Sequence, residues 1–269
     1  MVEVLNAIYE QDFVGFSYGF RPGRGQHDAL DALAVGIGDR AVNWILDADI
    51  KGFLDTISHE WMMRLVAHRV GDRRVLRLIR GWLKAGVVED DMWTEGTVGT
   101  PQGAVISPLL ANIYLHYVYD LWAAQWRKRH ARGAMIVVRY ADDTVVGFEH
   151  RSDADLFLAQ LRIRMAEFAL ELHPEKTRLT EFGRRAASDR AARGDGKPET
   201  FDFLGFTHIC SRTRQGGFML ARHTRRDRRM ARRRWHQSVA EQGAWLGSVV
   251  RGFFAYHAVP TNTRLSLPV

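Results

Sequence analysis

Apolar residues recur along this chain with two different periods, and the switches between them mark out the elements. Val42-Asn43-Trp44-Ile45-Leu46-Asp47-Ala48-Asp49-Ile50 reads as a strand that ends in acid, with Asp47 and Asp49 on one face by period-two alternation. Two β-branched runs, Met135-Ile136-Val137-Val138 and Val145-Val146-Gly147-Phe148, flank Arg139-Tyr140-Ala141-Asp142-Asp143-Thr144. That pattern predicts a hairpin with two carboxylates at its tip. Helical spacing appears at Leu5, Ile8 and Tyr9, from Asp28 to Ile37, from His59 to Val70, and from Asp72 to Ala85, where arginines sit on the outer faces. It returns from Leu109 to about Trp126 and in the stripe Phe157, Leu158, Leu161, Met165 and Phe168, which a capping sequence at Ser152–Asp155 introduces and which runs to Leu170. These helices read as scaffold.

The breaks between elements carry their own signals. Phe16 to Gly25 is a Gly/Pro-rich loop holding Arg21 and Arg24; it reads either as an ordinary surface loop or as one whose arginines reach phosphates. Gly96 to Gly103 is a loop of small residues, and Ser107 as N-cap with Pro108 at the first helical position is a strong helix start. Asp55 reads as a helix cap, whereas Asp49 does not. His173 to Leu179 stops one helix and begins another strand. The polar stretch from Ala186 to Pro198 predicts an exposed loop and a boundary. Beyond it, Phe201–Phe206 and Gly217–Leu220 predict a small hairpin. Between Arg222 and Arg234 lie eight arginines against one aspartate, on a helical pattern that continues toward Trp245 and Tyr256.

Composition narrows the class. At 269 residues the chain holds one large domain or two small ones and can bury a proper core. A formal charge of +7 points to a polyanion, with nucleic acid the first candidate. The single-signed run near the end needs a polyanion to relieve its repulsion. Cys210, alone, excludes an internal disulfide framework and a cysteine-based zinc site and suits a reducing compartment. No apolar run has the length to cross a bilayer, so a cytoplasmic protein with no membrane partner is expected.

Candidate chemistry lies in the acids. Adjacent aspartates such as Asp142 and Asp143 disfavour joint ionisation unless positive charge sits beside them, and a divalent metal ion is the simplest such partner. The pair is also good turn chemistry taken alone. If the strand ending in Asp49 and the hairpin tip lie side by side in one antiparallel sheet, three carboxylates meet. Such a cluster could hold two Mg²⁺ ions about 3.5–4 Å apart, activating a 3′-hydroxyl and stabilising a leaving pyrophosphate.

Several motifs in order now resemble a known family. Asp47-Ala48-Asp49-Ile50-Lys51-Gly52-Phe53, Thr100-Pro101-Gln102-Gly103, Ser107-Pro108-Leu109-Leu110-Ala111-Asn112 and Tyr140-Ala141-Asp142-Asp143 strongly resemble the reverse transcriptases encoded by bacterial group II introns, and the likeness covers nearly the whole chain. It implies an α+β right-hand polymerase: partial fingers over residues 1–40, a palm of antiparallel sheet and packed helices over 41–185, a loop and hairpin over 186–221, and a basic helical thumb or start of a maturase region over 222–269. It implies RNA-directed DNA polymerisation with two Mg²⁺ ions and deoxynucleoside triphosphates, on an intron RNA template with a DNA or RNA primer.

By the same resemblance Asp49, Asp142 and Asp143 are the catalytic acids and metal ligands, with a backbone carbonyl near Ile50. Gln102 and Gly103 lie by the incoming nucleotide and template. Phe53 is the aromatic nearest the sugar-sensing position, with Leu54 a competitor. Lys176 is either the cation that protonates or neutralises pyrophosphate or an exposed helix-end lysine. Arg222, Arg225, Arg226, Arg229 and Arg233 would grip RNA. Met1 falls almost directly at the family's second finger block and Val269 comes soon after the thumb-like helices begin, so the resemblance implies a piece of a longer protein. A non-catalytic RNA-binding splicing factor and an inert remnant of a mobile element stand as alternatives.

Overall fold

The computed structural model describes residues 1–84, 87–89, 92–94, 98–100, 105–225, 251–252 and 255–256. Two compact units divide the chain, Met1–Ala186 and Ala187–Val269.

The first unit is built on a four-stranded antiparallel sheet. In chain order its elements begin with α1 (Val2–Tyr9), α2 (Gln26–Asp39), β1 (Trp44–Ala48), α3 (Phe53–Thr56), α4 (His59–Arg69) and α5 (Arg73–Lys84). A two-stranded ribbon follows, β2 (Val87–Glu89) with β3 (Met92–Thr94). Then come α6 (Ser107–Leu115), a π-helical turn (His116–Asp120), α7 (Leu121–Arg129), β4 (Met135–Tyr140), β5 (Asp143–Phe148), α8 (Arg151–Glu167) and β6 (Arg178–Glu181). The sheet order is β4-β5-β1-β6, so β1 and the acid-tipped β4–β5 hairpin are neighbours. The register pairs Ala48 with Thr144 and Tyr140 with Asp143.

Burial explains the composition of the central strands. Val145, Val146, Gly147 and Phe148 are all buried, without the in–out alternation of a half-exposed strand, because helices cover both sides of the sheet. On one side α2 approaches so closely that a Cβ on Gly36 would lie 2.8 Å from Ile136 Cδ1. On the other, Phe148 packs with Trp126 of α7 and Phe157 of α8, whose ring centroids are 5.0 Å apart.

The local expectations largely hold, with corrections at the caps. Ser58 caps α4 by accepting from the Trp61 N–H, while Asp55 falls inside α3. Ile106 rather than Ser107 occupies the cap of α6; Ser107 is already helical. The long helix after Pro108 is interrupted by the π turn at 116–120. Asp153 does not cap α8, which starts from His150; its carboxylate accepts from Arg132, at the backbone N–H (2.8 Å) and at Nε (3.0 Å).

Spanning the division and within the second unit the differences are larger. The stretch read as a polar loop carries α9 (Arg184–Arg193), favoured by its alanines and arginines, which are good helix formers. The expected two-strand hairpin is a three-stranded antiparallel sheet, β7 (Phe201–Phe203), β8 (Phe206–Arg212) and β9 (Phe218–Thr224). Its middle strand is Thr/Cys/Ser-rich and lacks the apolar signal that marked its neighbours. The basic run from Arg226 onward lies outside the described residues. Among the described residues no helix is long and apolar enough to cross a membrane.

Candidate active site

Three acids and one lysine share one corner of the first unit. Asp49 follows β1 directly, and its backbone carbonyl accepts from the His173 N–H at 2.8 Å, while the Lys51 N–H donates to the Glu171 carbonyl at 2.9 Å. These two bonds flank a bridge between Ile50 and Leu172. The same clamp fixes the turn after His173, where the Thr177 N–H donates to the His173 carbonyl at 2.9 Å. That turn delivers Lys176, whose Nζ lies 2.9 Å from Asp49 Oδ2.

Asp142 and Asp143 sit on the β4–β5 turn. Ala141 adopts a left-handed φ of 56°, which brings the chain round in two residues between Tyr140 and Asp143. Asp143 keeps an exposed side, yet its carboxyl is crowded enough to be pushed up to about 6, first by loss of water and then by repulsion from Asp142 and Asp49, with Lys176 pulling the other way. Lys176 is shifted up in turn by its hydrogen bond to Asp49, and at longer range by Asp143 and Asp142. The four groups thus act in one electrostatic field.

The donor chemistry suits a hard divalent cation: carboxylate oxygens crowded against like charge. Among the described residues, however, no three such side chains close on a single point tightly enough to hold an ion. The Asp49 carboxylate accepts from Lys176 at Oδ2, so a cation here would share that carboxylate with the lysine or displace it.

Beneath the acids lies a buried network that the sequence reading passed over. Arg139, one residue before the Tyr-Ala-Asp-Asp stretch, is fully buried, as is Asp120. Arg139 Nε and Nη2 donate to the two carboxylate oxygens of Asp120 at 2.7 and 2.6 Å. Nη1 donates to the Ala141 carbonyl (2.7 Å) and Asn112 Oδ1 (3.1 Å), and Nη2 also to Ser17 Oγ (2.7 Å). The available signal was two opposite charges, each inside an apolar run, which must find each other when the runs are buried.

Other expected site residues fall elsewhere. Arg21 is a staple, not a phosphate ligand: it is buried, donates to Glu10 through Nε and Nη2, and donates through Nη1 to the Val14 and Ser17 carbonyls at 2.8 and 2.7 Å. Arg24 is half-buried, with Nη1 donating to the Gly15 carbonyl at 2.6 Å and its guanidinium over the Tyr18 ring. Phe53 is a core side chain, 3% exposed, with its ring against Tyr114, so it offers no face to a sugar; Leu54 is only half-buried. Arg222 is a buried residue of β9 and not part of a basic helix. Arg225 is exposed and pairs with Asp202 at 3.5 Å.

Gln102, Gly103, Arg226, Arg229 and Arg233 lie outside the described residues. The chain leading to Gln102 is pinned where it is described. The Thr100 N–H donates to the Leu54 carbonyl at 2.8 Å, and a Cβ on Gly99 would lie 2.9 Å from that same oxygen.

A basic surface exists on an element read as scaffold. Arg73, Arg77, Arg80 and Lys84 repeat along α5 at helical spacing and are all exposed, with Arg74 beside them. Asp72 caps the helix by accepting from the Arg74 N–H at 2.7 Å, and the helix itself contains no acid.

Comparisons with known proteins agree with this geometry. The reverse transcriptase (RNA-dependent DNA polymerase) family matches residues 1–208. Protein YkfC of Escherichia coli is 29% identical over 248 residues, covering 80% of this chain and 61% of that protein. The group II intron-encoded protein LtrA of Lactococcus lactis is 42% identical over 113 residues, 42% of this chain and 18% of LtrA. The chain therefore spans less than two thirds of these relatives' length. A solved structure of apo telomerase from Candida tropicalis superposes with a TM-score of 0.54 at 11% identity, covering 78% of this chain and 42% of that one, a likeness of fold alone. With its antiparallel α+β sheet, its acid-tipped hairpin and a family match over most of its length, the chain belongs to the reverse transcriptase (RNA-dependent DNA polymerase) family.

Proposed function

We propose that this chain is the catalytic part of an RNA-directed DNA polymerase of a group II intron, transferring nucleotides from deoxynucleoside triphosphates to a primer 3′-hydroxyl on an RNA template. The observation that carries the reading is the convergence of Asp49, Asp142 and Asp143, from two neighbouring elements of one sheet, on a shared field that lifts the Asp143 carboxyl to about 6. Crowding like charges together is unfavourable unless a cation is to join them. Asp49, Asp142 and Asp143, with the Ile50 carbonyl, would hold two Mg²⁺ ions. Bound there, the ions would supply charge neutralisation for the attacking oxygen and the leaving pyrophosphate.

The chain's own residues have separate duties. The carboxylates orient, and the β1–β5 register keeps Asp49 against the hairpin tip. Lys176 holds the Asp49 carboxylate from the outside, and on release it presents an ammonium to pyrophosphate oxygens. Gln102 and Gly103 would border the incoming nucleotide and template, and Arg225 with Arg226, Arg229 and Arg233 would hold RNA. The exposed basic face of α5 adds to the same demand for a polyanion.

The test is primer extension by the purified chain on an RNA template. Extension should vanish in Asp142→Asn while RNA affinity persists. Background-level extension by the wild-type chain, even with an N-terminal fragment of a relative supplied, would defeat the reading. A non-catalytic RNA-binding role in splicing is the second reading, and the observation on its side is that Asp49 is engaged by Lys176 and that no three-ligand group is formed among the described residues. It predicts RNA affinity indifferent to Asp142 and no extension under any condition.

A further inference from the structure

We infer that the buried Arg139–Asp120 pair is a positioning device for the acid-bearing turn, so that its integrity sets the catalytic rate and not merely the stability of the fold; the inference rests on the polymerase reading. Three observations carry it.

The first is that Arg139 is used to capacity. A guanidinium has five N–H donors. Here they go to Asp120 twice, to Asn112, to Ser17 and to the Ala141 carbonyl, all within 3.1 Å. Only the last acceptor belongs to the turn that carries Asp142 and Asp143, and it belongs to the residue with the left-handed backbone. A bond to that carbonyl fixes the peptide plane immediately before Asp142. The other four anchor the guanidinium to two other segments, the helix that carries Asn112 and Asp120 and the strand that carries Ser17, so the turn is tied to a fixed point.

The second is the way the anchors are aimed. Asn112 and Asp120 are on one helix, and at 3.6 residues per turn position 120 would fall about 80° round from position 112. The π turn at His116–Asp120 widens the helix over that interval and takes up most of the offset, so both side chains reach Arg139. A distorted turn that serves to aim a buried carboxylate at the buried Arg139 beneath the acids has a reason in geometry that packing alone does not supply.

The third is the segment pressed on the turn from outside. The Arg139 N–H donates to the Phe16 carbonyl at 2.9 Å and the Tyr18 N–H donates to the Arg139 carbonyl at 2.8 Å, so residues 16–18 extend the sheet beside β4. Gly19 then lies so close that a Cβ there would meet the Ala141 backbone N at 2.2 Å. Its carbonyl accepts from Asn112 Nδ2 at 2.6 Å. The turn is thus held from below by Arg139 and from outside by a strand that only glycine permits.

The experiment uses the whole chain and the paired replacement Arg139→Met with Asp120→Leu, because exchanging a buried ion pair for apolar residues of similar volume tends to preserve stability. Four quantities are measured: melting temperature, RNA affinity, the dependence of extension on deoxynucleotide concentration, and amide hydrogen exchange at residues 140–144 in metal-free protein. The inference expects a melting temperature within a few degrees of wild type, unchanged RNA affinity, faster exchange at the turn, and a saturating rate lower by about 100-fold with little change in KM, the penalty for slight misplacement of reacting groups. A normal saturating rate with normal exchange overturns it, as does a rate loss that merely tracks the unfolded fraction. Should the double variant not fold, Ser17→Ala removes one anchor at small cost, and wild-type rate and exchange in that variant count equally against the inference. Wild-type protein that neither extends primers nor gains stability from Mg²⁺ defeats the polymerase reading and this inference together, whereas wild-type extension matched by the variants defeats this inference alone.

Discussion

Lys176 Nζ and Asp49 Oδ2 lie 2.9 Å apart, and the turn that carries the lysine is itself held by the Asp49 carbonyl. The acid thus positions its own counter-charge through its backbone and meets it through its side chain. Lys176 is 61% exposed, so the pair is screened by water and contributes little to the fold. Replacing Lys176 with Met should leave the melting temperature unchanged, while lowering primer extension by about 10- to 100-fold through loss of a positioned cation near the leaving group. Lys176→Arg should recover part of that loss. A melting temperature that falls while the rate holds would assign the lysine to structure instead.

The acid cluster makes a prediction of opposite sign for stability and activity. The Asp143 carboxyl is lifted to about 6, above its ordinary range, so the metal-free fold favours its protonated form. The stabilisation is present at low pH and is lost as pH rises through about 6. Loss of water, the larger cause, stays, but removing one repelling neighbour should reverse part of that loss. Asp142→Asn in chelator should therefore melt higher than wild type at pH 8, with the two converging near pH 4, and Mg²⁺ should raise the wild-type melting temperature at pH 8 more than that of the variant. Identical melting curves across this range would mean that the three acids do not sense one another.

How much of this could be read from residues alone follows from which signals are local. The strand ending in Asp49 and the hairpin tipped by Asp142 and Asp143 were legible because period-two patterning and β-branched runs declare themselves within a few residues. Their adjacency was an expectation that sheet order made real. Arg139 was visible but mute: its meaning depends on Asp120, Asn112 and Ser17, which are distant in sequence, and on a π turn that has no compositional mark. Arg21 misled because a basic residue in a glycine-rich loop looks the same whether it meets phosphate or Glu10. Residues 206–212 misled because a central strand in a small sheet can be polar when its neighbours supply the apolar face.

The second unit contains a titration that can be followed without any assay of function. His208 in β8 is fully buried, stacked on the Phe201 ring at 4.7 Å and opposite Arg222 in the ladder. Burial, and then the Arg222 charge, push its imidazole down to about 3. The unfolded chain takes up that proton near the ordinary value of 6.5, so the contribution is intact above 6.5 and is lost as pH falls toward 3. At pH 5 the loss amounts to about 2 kcal/mol. His208→Phe should abolish this acid sensitivity, and the His208 ring signals in NMR spectra should show no titration between pH 7 and 4.5. A midpoint near 6 would contradict the buried, neutral ring.

The exposed arginines of α5 carry a cost that their partner should repay. Arg73 and Arg77, and Arg80 and Lys84, are like charges four residues apart, each pair destabilising the helix by about 0.2–0.5 kcal/mol. Arg73 and Arg74 also crowd the positive end of the helix dipole, where cations are disfavoured. Exchanging Arg73, Arg77 and Arg80 for Gln should therefore leave the fold as stable as wild type or more so. If the face follows a phosphate backbone, the same change should weaken RNA binding and reduce the slope of log affinity against log salt by about 2–3. Equal affinity and an equal slope would leave α5 as a solvated surface and place the nucleic acid elsewhere on the protein. A gain in stability together with a flatter salt response cannot come from a damaged fold, so the two measurements separate a binding face from a structural one.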